Sequence, residues 1–338
     1  MEVVSGKVKI AILGFGQIGK KHAEVVLQNH DYDLVALIDP KLATAEVEIP
    51  SAIPTFYSLK DFISSPIKAD VIAVCTPNGL HFEHTKILIE EGIHVIIEKP
   101  IALRSEEAEI LEQLAQDKKV HLFPVMQNRF SPTAMWLKDL IDSNVLGNLY
   151  MVQVSCFWNR NADYYTKELW RGTKSLDGGT LYTQFSHYLD LLYWLFGELT
   201  NVQSKFADFN HSDLTAFEDS GIVTFDFDSG GMGSFAFSTS VWNENLESSL
   251  TVIAENGSVK VGGPSLNYVE KCIVKDYIAP DFLETPLAND YGRCKGSAQN
   301  HQYLYQNIIE FLNTGKEILT TTPESIQVLK MIEKIYKS

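Results

Sequence analysis

Through the first 126 residues, short apolar runs rich in β-branched side chains alternate with amphipathic stretches. KVKIAILGF leads to IGKKHAEVVLQ, DLVALID to LKDFI, ADVIAVCTP to LHFEHTKILIEEG, and HVIIEKP to SEEAEILEQLAQD. Apolar runs without polar alternation are those of strands buried on both faces, and the amphipathic segments between them are the crossover helices that cover such a sheet. The rhythm predicts a parallel sheet in an α/β domain. VHLFPVMQ at 120–127 is one more strand, and NRFSP directly after it carries breaker residues. The first domain is accordingly placed at 1–126 and a second at 127–338.

Beyond that point the pattern changes. A helix around TAMWLKDLIDS precedes a long strand, NLYMVQVSCFWNR, and a single apolar helix, LYTQFSHYLDLLYWLFG. Strands in hairpin order follow: SGIVTFDFDSGGMGSFAFSTS alternates across a Gly-Gly turn, and SLTVIAENGSVKVGG is expected to turn at Asn256-Gly257. Two helices, near 299–313 and 323–336, close the chain. This half reads as α+β with a large, mostly antiparallel open sheet. A length of 338 residues with 45% hydrophobic residues suits two cores of this kind.

Charge narrows the partners. Twenty-eight basic against 43 acidic residues give a formal charge of -15 with no basic run, which repels a phosphate backbone and argues against nucleic acid. No stretch of about 18 apolar residues appears, and the start MEVVSGKVKIAIL lacks a secretory pattern, so the expectation is a cytoplasmic protein without membrane contact. Cys75, Cys156, Cys272 and Cys294 are scattered, with no C-x-x-C pair and no histidine at zinc spacing. Free thiols and no metal site are expected.

The first candidate chemistry lies in AILGFGQIGKKH. Gly14, Gly16 and Gly19 follow a strand and open a helix inside a βαβ unit, where glycine permits a tight turn and the helix start offers unpaired N–H groups to a pyrophosphate. Asp39 ends the next strand, LVALID, at the position where a carboxylate accepts the adenosine ribose hydroxyls and repels a 2′-phosphate. The combination predicts a Rossmann domain taking NAD rather than NADP. Gly14, Phe15, Gly16, Gln17, Ile18, Gly19, Asp39 and Pro40 form the candidate dinucleotide loop. In CTPNGLHFEH, at another strand end, Thr76, Pro77, Asn78 and His81 either flank the cofactor or make an ordinary βα turn.

EKP at 98–100 ends a strand, because proline cannot continue the ladder. Ligands of open α/β sheets bind outside the carboxyl ends of the strands, so Glu98 and Lys99 stand on the cofactor's edge, with Gln127 following the last strand. A lysine partly dehydrated beside a cationic nicotinamide has its ammonium form disfavoured and becomes a usable base; the alternative is a rim ion pair with Glu98. On the apolar helix, Thr183, His187 and Asp190 form a polar stripe that meets either a ligand or a local polar network. His301, before QYLYQNIIEFL, either reaches the site or packs as a capping histidine.

GFGQIGKKH, CTPNGLHFEH, EKP and the glycine-led helix with SHYLDLLYWLFG occur in an order that resembles the Gfo/Idh/MocA family of nicotinamide-dependent sugar oxidoreductases, over nearly the whole chain. The resemblance implies a Rossmann domain, an α/β domain whose open sheet makes a homodimer or homotetramer, and catalytic roles for Lys99 and His187. Two departures stand out. Thr183 occupies the position where many members carry an aspartate, and DGG at 177–179 replaces the more usual triple glycine. QNRFSP, VSCFWNRNADYY, LWRGTKSLDGG and YTQFSHYLDLLYW resemble the branch that oxidises the 3″ hydroxyl of UDP-N-acetylglucosaminuronic acid for bacterial surface polysaccharides such as lipopolysaccharide. The candidate substrate residues are Lys99, Asn128, Arg129, Arg160, Tyr165, Trp170, Arg171, Thr183 and His187. The three arginines offer bidentate forks to an anionic sugar nucleotide, or else pair with surface acids; Tyr165 and Trp170 stack on a ring, or else pack in the core. The rival expectations are another polyol or aldose dehydrogenase of inositol type, and a non-catalytic NAD-dependent sensor.

Overall fold

The computed structural model describes residues 6–44, 53–281, 288–290 and 295–338; Cys294 lies outside them. The chain forms two compact units, Met1–Val125 with His301–Ile326, and Met126–Asn300 with Gln327–Ser338. Chain order had placed everything after residue 126 together. Residues 301–326 belong with the first unit instead, a grouping that no local sequence signal announces.

The first unit runs β1 (Val8–Leu13), α1 (Gln17–Gln28), β2 (Tyr32–Ile38), β3 (Thr55–Phe56), α2 (Leu59–Ile63), β4 (Val71–Val74), α3 (His81–Glu90), β5 (His94–Ile97), α4 (Ser105–Lys118) and β6 (Leu122–Pro124). The strands form one parallel sheet in the order β3-β2-β1-β4-β5-β6. Val8, Ile10, Ile12, Val71, Ile72 and Val95 are all buried, which is why these strands show no polar alternation. Pro124 is tolerated because it ends an edge strand. The strand order places the carboxyl ends of β1, β2, β4 and β5 along one edge.

The second unit continues with α5 (Pro132–Asp142), β7 (Leu149–Phe157), α6 (Ala162–Thr166), α7 (Thr180–Thr183), α8 (Ser186–Phe196), β8 (Leu199–Ala207), β9 (Ser220–Phe227), β10 (Met232–Ser238), β11 (Glu247–Ala254), β12 (Gly257–Gly262), β13 (Tyr268–Val274), β14 (Ala288–Asp290) and β15 (Lys295–Ala298). Seven of these strands form a sheet in the order β13-β12-β11-β7-β10-β9-β8, antiparallel except for the β7–β10 pair. Burial alternates along β9 and β10, with Val223, Phe225, Phe235 and Phe237 inside and Ile222 and Met232 outside. The chain ends with α9 (His301–Thr314), in the first unit, and α10 (Thr322–Lys337).

Two local expectations change. The apolar helix is interrupted at Gln184-Phe185, so Thr183 and His187 lie on different helices, α7 and α8. The hairpin after β11 turns at Glu255-Asn256, because Ala254 pairs with Gly257. Gly257 is a strand residue whose glycine is demanded by β13: a Cβ there would stand 2.5 Å from the Ile273 carbonyl oxygen.

Burial holds several histidines of the first unit in their neutral form. His94 is pushed down to about 4, by burial first and then by His121 beside it; burial also lowers His81, His84, His121 and His301. A histidine whose folded pKa is depressed takes up a proton more readily when unfolded, so its stabilising contribution is present above the unfolded value and is lost as pH falls. A melt recorded at about pH 5 is expected several degrees below one at about pH 7.5. An unchanged or higher midpoint at the lower pH contradicts this.

Candidate active site

Along the carboxyl edge of the first unit's sheet, the glycine loop follows β1. Gly14 has φ +91°, and a Cβ there would meet the Cys75 carbonyl carbon at 2.7 Å; one on Gly19 would meet the Gly14 carbonyl oxygen at 1.9 Å. Both glycines are required by the fold itself. Gly16 differs: a Cβ there would meet nothing within 4 Å. It is also the N-cap of α1 and, lacking a side chain, leaves the first N–H groups of that helix without a capping side chain from this position. Space kept clear over uncapped N–H groups fits a pyrophosphate.

Asp39 closes the loop from the end of β2. Its Oδ2 accepts the Phe15 N–H at 2.7 Å and its Oδ1 the Lys41 N–H at 2.8 Å. The carboxylate is thereby fixed beside the loop with further lone pairs available to ribose hydroxyls. These residues fit NAD. Thr76 and Pro77, after β4, stand half-buried on the same edge. His81 has both ring nitrogens engaged by the protein's own backbone. It is buried, with Nδ1 2.7 Å from the Pro100 carbonyl oxygen and Nε2 2.8 Å from that of Thr76, and so clamps two loops.

Lys99, half-buried just beyond β5, is on this edge, and the Lys99–Pro100 peptide is cis. Glu98 is not its rim partner. That carboxylate points inward, is 5% exposed, and meets His22 Nε2 at 3.0 Å.

The second unit carries the other candidates. His187, 3% exposed near the start of α8, has Nε2 3.3 Å from Ser297 Oγ on β15 and 3.5 Å from Gln127 Nε2; Gln127 donates to Ser297 at 2.8 Å. Asn300 in turn donates to the Gln127 carbonyl at 3.1 Å. Gln127 therefore belongs to the histidine's surroundings in this unit. Asn128 beside it is buried, and its amide has no hydrogen-bond partner among the described residues. Thr183 donates to both the carbonyl and the side-chain carboxylate of Asp177, whose Oδ2 accepts the Gly172 N–H at 2.7 Å. An acid of the DGG motif, Asp177, thus stands beside Thr183.

Two substrate expectations fail. Arg129 is 0% exposed, and its fork is occupied by Asp190, with Nη2 to Oδ1 at 2.6 Å and Nε to Oδ2 at 2.9 Å. Its planar guanidinium suits a carboxylate, but that carboxylate is the protein's own. Tyr165 is buried against Tyr164 and His211, and burial pushes its hydroxyl well up. It is a core residue.

Arg160 and Arg171 are arranged differently. Both guanidinium centres lie over Tyr164, at 5.2 and 4.0 Å, while Arg160 also lies over Trp158 at 4.7 Å and Arg171 over Trp170 at 4.9 Å. Gln184 braces the group, accepting from Arg160 Nε at 2.7 Å and donating to the Tyr164 hydroxyl at 2.6 Å. Arg160 is buried and also donates from Nη1 to the Asn159 carbonyl oxygen at 2.7 Å, whereas Arg171 is half-buried. Trp170, half-buried, is a platform for Arg171. Sequence reasoning missed Tyr164, Gln184, Asp177 and Ser297. The first three stood inside quoted motifs; Ser297 carried no signal.

A glycine loop with its acid, on a parallel sheet of order β3-β2-β1-β4-β5-β6, defines an NAD-binding Rossmann domain of the nicotinamide-dependent oxidoreductase class. Residues 8–125 match the oxidoreductase family with NAD-binding Rossmann fold, and residues 135–260 match the GFO/IDH/MocA C-terminal domain. The chain belongs to the GFO/IDH/MocA family. It is similar to the WlbA dehydrogenase from Bordetella pertussis, solved with NADH and UDP-GlcNAcA, at 30% identity and a TM-score of 0.86, covering 98% of this chain and 96% of that one. The Chromobacterium violaceum WlbA dehydrogenase, solved with the same two ligands, is 32% identical with a TM-score of 0.86, covering 99% and 94%. Among curated relatives, scyllo-inositol 2-dehydrogenase (NADP(+)) IolW of Bacillus subtilis is 31% identical over 56% of this chain and 52% of its own length. The chain thus spans about half the length of this relative. Among the described residues, no helix is long and apolar enough to cross a membrane.

Proposed function

We propose that this protein is an NAD-dependent dehydrogenase that oxidises a secondary hydroxyl of an anionic nucleotide sugar, C3″ of UDP-N-acetylglucosaminuronic acid. The observation that carries the substrate class is the stacked pair Arg160 and Arg171. A neutral polyol needs no such pair in a chain of formal charge -15. Similarity to two dehydrogenases solved with NADH and UDP-GlcNAcA supports the same reading.

NAD, when bound, supplies the hydride acceptor. Gly16 and the start of α1 hold its pyrophosphate, and Asp39 orients its adenosine ribose and disfavours a 2′-phosphate. Lys99 is assigned the base that takes the proton from the sugar hydroxyl. A second proton-handling role goes to His187, oriented by Ser297 and Gln127. Arg171 binds the sugar's anionic groups, and Arg160, tied to Gln184 and the Asn159 carbonyl oxygen, holds the Tyr164 ring on which Arg171 stacks. We also assign the exposed face of the large sheet to a second copy of this chain, on the row of Ile253, Met151 and Met232, which are cross-strand neighbours. A single-chain mass by light scattering removes that assignment.

Arg171→Met tests the substrate class. It is expected to raise KM for the UDP-sugar by about tenfold to a hundredfold, the worth of about one charge-assisted contact, with NAD affinity unchanged. An unaltered KM refutes the role of Arg171. A second reading, a neutral inositol or glucoside as substrate, is favoured by relatives that include a scyllo-inositol 2-dehydrogenase and a D-glucoside 3-dehydrogenase.

A further inference from the structure

Immediately before Lys99 the fold buries an anion and surrounds it with donors from distant parts of the first unit. Glu98 Oε2 accepts the Lys99 N–H at 3.1 Å. Its Oε1 faces His22 Nε2 at 3.0 Å, and His301 Nε2 lies 3.5 Å from the same oxygen. Burial alone would raise this carboxyl, but the imidazoles of His22 and His301 outweigh it and hold Glu98 well below the usual carboxylate range.

The proton arrangement follows from the next contact. His22 Nδ1 lies 2.8 Å from the Tyr305 hydroxyl. Burial raises Tyr305 far above its ordinary value, so it stays an O–H and donates to Nδ1, which places the His22 proton on Nε2, facing the carboxylate. Tyr305 is itself pinned, its carbonyl accepting from the Tyr32 hydroxyl at 2.7 Å. The path runs from α9 through α1 to the residue that precedes Lys99.

A glutamine at 98 would offer the Lys99 N–H an equivalent oxygen without the desolvation of a charge, which costs several kcal/mol. The charge therefore calls for a reason of its own. The other titratable groups around it are Cys75 beyond β4, His81 on α3, and His301 and Tyr305 on α9. Burial pushes the thiol and the phenol up and the two imidazoles down, so all four are uncharged. Lys21 on α1 is a further cation whose field reaches His301. Glu98 is the anion of this group, adjacent to an amine that must accept a proton beside a cationic dinucleotide.

We propose that Glu98 is a positioning residue for Lys99: it fixes the lysine's backbone and, through a buried charge held by His22 and Tyr305, offsets part of the lowering of basicity that burial and the cationic dinucleotide impose on the amine, so that it still accepts the hydroxyl proton. This rests on the role assigned to Lys99 above. Its test needs no sugar turnover. Lys99 is acetylated in trace amounts across a pH series in the full-length protein with NAD present, the yield at Lys99 is read by mass spectrometry, and wild type is compared with Glu98→Gln. Removing a neighbouring anion destabilises the ammonium form, so the midpoint is expected to move down by about half a pH unit or more. A role confined to structure lowers the melting temperature and leaves the midpoint in place, and that result overturns the proposal. Should Glu98→Gln not fold, Glu98→Asp withdraws the charge by one methylene and gives a smaller downward move, with an unmoved midpoint again overturning it. Stoichiometric transition metal in the purified protein also overturns it, since His22, Glu98 and His301 would then be ligands. If the UDP-sugar is not oxidised but the midpoint moves, the substrate reading fails and the charge coupling stands.

Discussion

Lys99→Met is expected to lower kcat/KM by about two to four orders of magnitude, the usual contribution of a positioned general base. NAD affinity, measured by quenching of intrinsic fluorescence, stays within about threefold of wild type, because the groups assigned to the dinucleotide are the glycine loop, the start of α1 and Asp39. Methionine keeps the length and apolar stem and removes only the amine. Activity retained within about tenfold means that another group takes the proton.

The largest effect on stability is expected from Asp190→Ala. It leaves the Arg129 guanidinium buried without its carboxylate, and breaking a buried pair from one side costs about 3–5 kcal/mol. The urea midpoint should fall accordingly. The double variant Asp190→Ala with Arg129→Met recovers much of the loss, since an apolar pair carries no stranded charge. A single variant that unfolds like wild type but shows a raised substrate KM would return Arg129 to the substrate.

What the sequence disclosed follows from the range over which each signal acts. The parallel sheet was legible because buried strands leave uninterrupted apolar runs, and the dinucleotide loop because its glycines and acid sit at fixed spacings along a βαβ unit. Arg129 was misread because residue type shows a fork but not its partner, which stands 61 positions away. His22 is an unremarkable polar residue on a helix until Tyr305, 283 positions later, fixes its tautomer. Thr183 stands where the resemblance places an aspartate. Its contact with Asp177, six residues upstream in DGG, became recognisable only when the helix broke and brought the hydroxyl onto that acid. Tyr164 looked like one of many aromatics, because a cation–π stack has no sequence period.

The central claim is the oxidation of an anionic nucleotide sugar with NAD. The most direct measurement is NADH formation by the purified protein, followed by absorbance, with UDP-N-acetylglucosaminuronic acid, UDP-N-acetylglucosamine and scyllo-inositol supplied separately. The account predicts NADH from the uronic acid, much less from the sugar lacking the carboxylate, and none from the inositol. NADH from inositol with none from either UDP-sugar would contradict it.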